Sequence, residues 1–273
     1  MSSYQNTAAV PVMAQEEPIK PLPAWRAAIY FIVAGVVLRF AFYRAIPMLE
    51  NAGLAAFEAF MVAAIVPLAL LFALAFGIAK ETGTPENGRA FAKRFRLRRP
   101  TRLQAGWVVL SLAAAVGASA LLSPTQEWVL RWAPFLQPPE GFPAVMDPTL
   151  QSTGFSQALA GWMGPQAGGN GGWILLIFIF FFFNIMGEEL LWRGLLLPRQ
   201  ELAHGRAAWI VNGLLWHLFH LIIFPWYLIS GLPLALLIAF VAQKTQNSWS
   251  SIIVHGAANL GLVSLMFLTI VSG

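Results

Sequence analysis

The fold of this protein is decided by residues 172–200, which read GWILLIFIFFFFNIMGEELLWRGLLLPRQ. The first sixteen of these residues carry no charge, and the segment then presents Glu188, Glu189 and Arg193. About 20 consecutive, predominantly apolar residues are enough for a helix to cross the hydrocarbon core of a bilayer. A charged side chain at that depth costs about 2.5–3.5 kcal/mol even on insertion scales. The segment therefore predicts a membrane-spanning helix whose charged residues serve a function.

The composition of the whole chain agrees with this prediction. Of its 273 residues, 58% are hydrophobic and only 11% are charged, whereas an ordinary soluble domain has about 25% charged residues. The mean hydropathy is +0.66. We therefore expect an all-α, polytopic helix bundle in the cell membrane. The net charge of +5 is attributed to a lipid-facing basic surface, and no nucleic-acid partner is expected.

Seven membrane-spanning helices are predicted, at 25–44, 54–79, 104–122, 173–197, 207–224, 228–243 and 249–270. Residues 1–23 are polar and rich in proline, and they are predicted to form a disordered cytoplasmic tail. Residues 24–122 would then hold the N-terminal transmembrane helices, 123–170 an extracytoplasmic loop, and 171–273 the transmembrane core that contains the charged helix.

The charges between the predicted spans set the expected orientation. The loop 80–102 contains eight Lys or Arg residues and only two Glu residues. Because cytoplasmic loops carry an excess of Lys and Arg, this loop and the N-terminus are predicted to be cytoplasmic. The loop 123–170 has one basic and three acidic residues, as expected of the opposite side.

Within the outer loop, Ser123-Pro124-Thr125-Gln126 is typical of a helix start, with Ser123 as the N-cap and Gln126 completing a capping box. A short helix through Trp128 and Trp132 is predicted to lie in the membrane interface.

Several classes of enzyme are excluded by residues that the sequence lacks. The chain has no cysteine, which excludes thiol nucleophiles and cysteine–zinc sites. Asp147 is its only aspartate, so one chain cannot form the aspartate pair of an aspartyl protease. The sequence contains no HExxH helix and no phosphate-binding glycine loop. Ser230 precedes Gly231, but no GxSxG motif surrounds it.

The helical period separates the two adjacent glutamates. At about 100° per residue, Glu189 and Arg193 lie on one face, whereas Glu188 and Arg193 are about 140° apart. Arg193 is therefore expected to neutralise Glu189 and to leave Glu188 unpaired. A carboxylate without a counter-charge in a poorly solvated pocket is suited to take a proton from water.

Two further helices carry the histidines that complete the predicted site. His220 follows Trp216 by four residues, so the indole is expected to pack beneath the imidazole. His255 and Asn259 have the same spacing in the last helix. We expect three helices to direct Glu188, His220, His255 and Asn259 into one wet cavity.

These residues form three motifs: EELLWR (188–193) has the form EExxxR, WHLFH (216–220) the form [F/W]xxxH, and HGAAN (255–259) the form HxxxN. In this order on successive apolar helices, they resemble the CPBP intramembrane peptidases. That family includes the CAAX prenyl endopeptidases and bacterial proteins linked to bacteriocin processing or self-immunity. The resemblance covers about residues 170–270. It departs from the family at Trp216, where phenylalanine is usual.

The resemblance implies an intramembrane protease in which Glu188 and His220 activate a water, while His255 and Asn259 bind the developing oxyanion. Glu189 and Arg193 would be the supporting ion pair, with Trp216 beside them. A peptide or membrane-protein substrate, possibly lipidated, is expected, with no metal and no cofactor.

Two alternatives stay open at this point. Glu188, His220 and His255 are chemically competent Zn²⁺ ligands, so a zinc-dependent, metalloendopeptidase-like version of the protease is possible. A non-catalytic scaffold, immunity or regulatory protein of the same family is the other alternative. A transporter is less favoured, because the sequence shows no internal repeat.

Overall fold

The computed structural model describes residues 19–81, 87–143, 146–148 and 155–272, and the regular structure in these ranges is helical, without a strand. The predicted all-α fold class is confirmed. In chain order the helices are α1 (Ala24–Asn51), α2 (Ala56–Glu81), α3 (Gly88–Arg94), α4 (Arg102–Leu122), α5 (Thr125–Trp132), α6 (Phe155–Met163), α7 (Gly171–Glu189), α8 (Leu197–His204), α9 (Ala208–Ile223), α10 (Leu232–Thr245) and α11 (Ser248–Ser272).

Five helical stretches in the described residues are long and apolar enough to cross a membrane. The predicted fourth and fifth spans lie in one helical stretch, Gly171–Ile223, and the predicted sixth span corresponds to the shorter helix Leu232–Thr245. A multi-pass helical bundle is therefore confirmed. The number of crossings and the cytoplasmic N-terminus stay predictions.

Two stretches of π-helix interrupt the long helices, at Ala41–Ala45 within α1 and at Leu190–Leu196 between α7 and α8. The sequence predicted one uninterrupted helix over 173–197, and the structure differs there. Each π stretch is followed within two residues by a proline, Pro47 or Pro198. Proline lacks the amide hydrogen and crowds the carbonyl four residues earlier, and a wider turn relieves this conflict.

Glycines allow the helices that carry the candidate site to pack closely. A Cβ atom on Gly187 of α7 would lie 2.6 Å from the carbonyl oxygen of Leu68 in α2. A Cβ atom on Gly213 of α9 would lie 3.0 Å from the carbonyl oxygen of Ala235 in α10. Small residues at such crossings let backbones approach in membrane helices, and here they place α7 and α9 within the bundle.

Helix α1 is tied to the end of α9 by polar side chains. Arg39 Nη1 donates to the carbonyl of Ile222 at 2.8 Å, and the Tyr43 hydroxyl donates to the carbonyl of Ile223 at 3.0 Å. These bonds satisfy carbonyls that the last turn of α9 leaves without an intrahelical partner. Helix α1 therefore helps to fix the helix that carries His220.

The segment between α3 and α4 is held by specific polar contacts. Arg96 makes a bidentate ion pair with Glu201 of α8, with N–O distances of 2.9 and 2.7 Å. The buried side chain of Asn247 donates to the carbonyl of Arg98 at 2.9 Å. This part of the predicted basic loop 80–102 is therefore docked on the helical core.

The predicted N-terminal tail, 1–23, lies mostly outside the described residues, since these begin at residue 19. In the described part, Leu22 is buried and its amide donates to the carbonyl of Arg199 at 2.9 Å. The last residues before α1 thus pack against the end of the π stretch and α8.

The prediction that Ser123 and Gln126 cap the start of α5 is wrong. The helix begins at Thr125 with Pro124 at the N-cap position, and no side chain caps it. The Ser123 hydroxyl donates instead to the carbonyl of Ala120, and Gln126 is turned inward and buried. Pro124, and not Ser123, occupies the N-cap position, and Gln126 lines a cavity of the bundle and does not complete a capping box.

Candidate active site

A cavity of about 290 Å³ lies inside the helix bundle. Five of the residues predicted for the site line it together: Glu188, Trp216, His220, His255 and Asn259. They come from α7, α9 and α11, as the three motifs predicted.

Glu188 is buried, with 3% of its surface exposed. Its Oε2 accepts a hydrogen bond of 2.6 Å from the indole Nε1 of Trp216. Among the described residues, no Lys or Arg forms an ion pair with Glu188. The carboxylate therefore faces the cavity with a neutral hydrogen-bond donor as its partner.

Glu189 differs from Glu188 because it is paired with a cationic side chain. Its Oε1 accepts from Nη1 of Arg193 at 2.7 Å and from Nδ1 of His255 at 2.9 Å. All three side chains are buried, and a buried charge is tolerated when it is paired and hydrogen-bonded. The predicted i, i+4 pair of Glu189 and Arg193 is present, with His255 added from α11.

Trp216 lies at the centre of these residues. The guanidinium carbon of Arg193 is 4.6 Å from the centre of its ring, a distance typical of cation–π contacts. The rings of His220 and His255 pack edge-on at centroid distances of 4.2 and 5.2 Å. Trp216 thus contacts both histidines and donates to Glu188, and the predicted stacking with His220 is observed.

The hydrogen bonds fix which ring nitrogen of each histidine carries the hydrogen. His220 Nδ1 lies 3.0 Å from the carbonyl oxygen of Trp216. Because a carbonyl can only accept, Nδ1 is the donor, and Nε2 of the neutral ring is an acceptor. By the same argument, Nδ1 of His255 donates to the carboxylate of Glu189. Both histidines therefore keep Nε2 for other partners.

Asn259 is held by its own helix. Its Nδ2 donates to the carbonyl of His255 at 3.1 Å, and one amide hydrogen is left for another acceptor because the NH₂ group has two. His255 and Asn259 therefore lie one turn apart and both line the cavity.

Other polar residues line the same cavity, and the sequence analysis did not assign them to it. They are Ser119, Gln126, Asn184, His217 and Ser230. Asn184 interrupts an otherwise apolar run, a signal that could have been noticed in the sequence. Ser119 and Gln126 carry no such signal, because they belong to α4 and α5, outside the three motifs.

The residues present do not fit a metal centre. Among the residues that the structure describes, no group of three or more His, Asp or Glu side chains could hold a metal ion. The zinc alternative with Glu188, His220 and His255 as ligands is therefore without support in the geometry.

The fold and the cavity define a polytopic helical membrane protein with a buried glutamate and two histidines. Residues 170–261 match the model of the family described as type II CAAX prenyl endopeptidase Rce1-like. The match contains all three motifs and confirms the CPBP family that they predicted. Residues 170–261 are thus similar to a family of CAAX-type intramembrane proteases. No curated protein and no solved structure matches the chain.

Proposed function

We propose that this protein is a glutamate-dependent intramembrane endopeptidase in which Glu188 activates a water molecule for attack on a peptide carbonyl. One observation carries the proposal. Of the two adjacent buried glutamates, Glu189 is neutralised by Arg193, whereas Glu188 has only the neutral indole of Trp216 as its partner in the cavity. Glu188 is therefore the carboxylate available to accept a proton.

Water activation uses Glu188 and His220 together. A water between them donates one hydrogen to the Glu188 carboxylate and the other to Nε2 of His220. As the oxygen attacks the carbonyl carbon, Glu188 takes the proton. It then returns this proton to the leaving nitrogen, so that one water is consumed and the peptide bond is cleaved. A positioned general base of this kind contributes about 10²–10⁴-fold to a rate.

Oxyanion stabilisation falls to His255 and Asn259. With Nδ1 bonded to the Glu189 carboxylate, a protonated His255 can donate from Nε2 to the oxyanion, and Asn259 donates its second amide hydrogen. Donors aimed at the developing negative charge contribute about 2.7–4 kcal/mol each in known oxyanion holes. Glu189 and Arg193 act as positioning residues for His255.

The buried charges are balanced in this proposal. Ionised Glu188 and Glu189 offset Arg193 and a protonated His255, so the four groups sum to no net charge. Balance matters because an uncompensated charge is costly at low dielectric. The substrate proposed is a peptide or membrane protein, with or without a lipid group, presented from the bilayer.

The proposal is tested by comparing protein termini in membranes that contain wild type or Glu188→Gln. We expect termini that depend on the protein to disappear in Glu188→Gln, because the variant keeps the shape of the side chain but cannot accept the proton. Glu127→Gln is the matched control, since Glu127 is exposed on α5. Identical termini in wild type and Glu188→Gln membranes would favour the non-catalytic scaffold.

Metal dependence is tested on purified, active protein. We expect the cleavage rate to remain unchanged after treatment with a strong chelator, since the proposed chemistry uses only side chains and water. The rate is measured before and after treatment, and metal content is measured on the same sample. Loss of activity that added Zn²⁺ restores would support the zinc-dependent alternative.

A further inference from the structure

The cavity holds a second polar cluster, made of Ser119, Gln126 and Ser230, which belongs to none of the three motifs. Gln126 is 7% exposed and Ser230 is 3% exposed. Within the described parts of the chain, Ser119 Oγ, Gln126 Oε1 and Ser230 Oγ are buried and have no hydrogen-bond partner. Buried polar atoms are nearly always paired in native proteins, because leaving one unpaired loses its hydration without replacement. Other buried polar atoms of the described residues also have no partner, but these three belong to residues that line the cavity, so a group inside the cavity can supply their missing hydrogen bonds.

Three neighbouring elements build the second polar cluster. Ser119 lies on α4, which packs against α10, and Gln126 lies on α5, which packs against residues 225–228 just before Ser230. Gly231 follows Ser230 and comes close to α9, since a Cβ atom there would lie 3.4 Å from Cε1 of His217. The second polar cluster therefore adjoins the helix of His220 and shares its cavity with Glu188.

The chemical groups that line the cavity limit the kinds of ligand that it can bind. Among the described lining residues Glu188 is the one carboxylate, and none is Lys or Arg. Such a surface offers no guanidinium or ammonium group for a phosphate or a carboxylate group. Hydroxyl groups and an amide oxygen are neutral donors and acceptors, and they match the N–H and C=O groups of peptide bonds.

A transmembrane helix satisfies its own peptide groups and has none to offer. Only an extended or locally unwound segment presents free N–H and C=O groups. We propose that the second polar cluster binds the main chain of an extended substrate segment beside the bond that is cleaved. Gln126 Oε1 accepts a substrate N–H, and the hydroxyls of Ser119 and Ser230 donate to substrate carbonyls. This inference rests on the proposed function. It adds to that function that the site binds its substrate in an extended conformation.

The test measures binding to the full-length protein in detergent, with an S-farnesylated CAAX-type peptide as the probe. Gln126→Leu and Ser230→Ala are each expected to raise the Kd about fivefold to tenfold, the loss of one neutral hydrogen bond in a buried site. The matched control is Gln137→Leu, since Gln137 is exposed in the segment after α5. This control is expected to leave the Kd unchanged.

Two further readouts separate binding from a structural role. The Tm of Gln126→Leu without peptide is expected to equal or exceed that of wild type, because the variant removes an unpaired buried oxygen. N-methylation of each peptide amide in turn is expected to weaken binding at one position. At that position the effects of Gln126→Leu and of N-methylation on the Kd are expected not to add, since both changes remove the same hydrogen bond.

The results of these binding and cleavage measurements test the inference and the proposed function separately. If the variants bind more weakly but even wild type cleaves nothing, the inference stands and the proposed function fails. If wild type binds no peptide, or binds it no better than Gln126→Leu does, the inference is overturned. It is overturned also if the Tm of Gln126→Leu falls and N-methylation has no effect at any position.

Discussion

Trp216 lies among the candidate site residues, and its indole N–H donates to Glu188 at 2.6 Å. Its ring also packs against Arg193 and His220. These two contacts need only an aromatic ring, whereas the bond to Glu188 needs the nitrogen. The residue therefore combines a packing role, which any aromatic ring can fill, with a hydrogen bond that requires the indole nitrogen.

Replacing Trp216 by phenylalanine separates these roles. Trp216→Phe is expected to lower the cleavage rate by about 10- to 150-fold, the effect of losing one hydrogen bond to a charged group. Trp216→Ala is expected to lower it much further, because it also removes the ring that positions His220 and His255. Rates are measured on purified variants of equal Tm. A Trp216→Phe variant as inactive as Trp216→Ala would mean that the nitrogen, and not the ring, is the essential feature.

The adjacent glutamates show what local sequence spacing can and cannot decide. The pairing of Glu189 with Arg193 follows from the i, i+4 spacing, because both residues are on one helix face. The bond from Glu189 to His255 joins residues 66 positions apart, and spacing within one helix cannot indicate it. The sequence thus predicted the ion pair but not that the ion pair holds His255.

At the level of elements, the approach of α7 to α2 depends on a residue without a side chain. Gly187 directly precedes Glu188, and a Cβ atom there would lie 2.6 Å from the Leu68 carbonyl oxygen. A backbone carbonyl cannot turn away as a flexible side chain could. Any side chain at position 187 must therefore push the two helices apart and displace Glu188.

Alanine substitution at two glycines beside site residues tests this packing. Gly187→Ala is expected to destabilise the protein by about 1–3 kcal/mol, the usual cost of overpacking, and to reduce cleavage strongly. Gly256→Ala is the matched control next to His255, because its Cβ atom would make an ordinary contact of 3.6 Å with Phe181. The control is expected to be as stable as wild type. Both are measured by thermal unfolding in detergent, and equal Tm values would contradict the proposed close packing.

The π stretch Leu190–Leu196 is an element that the sequence analysis did not predict. It contains Arg193 and directly follows Glu189. The apolar run gave no sign of it, since π and α turns bury the same residue types. Pro198 is the one local signal, because proline ends the regular hydrogen-bond pattern of the preceding turn.

At the scale of the whole molecule, the family match covers only part of what builds the site. Residues 170–261 carry the three motifs, but α1 and α2 lie outside them and pack against α9 and α7. Arg39 and Tyr43 bond to the end of α9. The N-terminal helices are therefore expected to be required for the active arrangement of Glu188 and His220.

Dividing the chain before residue 87 tests this dependence. Residues 87–273 expressed alone are expected to be inactive and to unfold at a lower temperature, because α7 and α9 lose their partners. Co-expression with residues 1–86 is expected to restore activity in part, since the break falls next to a connection between helices and not within one. Full activity of residues 87–273 alone would show that α1 and α2 are dispensable.

The sequence by itself determined that this protein is a bundle of membrane helices and that the residues of the three motifs on α7, α9 and α11 share a cavity. Apolar runs and helical spacing act locally, so they can be interpreted without the rest of the fold. Only the tertiary structure decided that Gln126 lines the cavity and does not cap α5, and that Ser119 and Ser230 join it there. These positions depend on packing between helices distant in sequence, for which no local pattern exists.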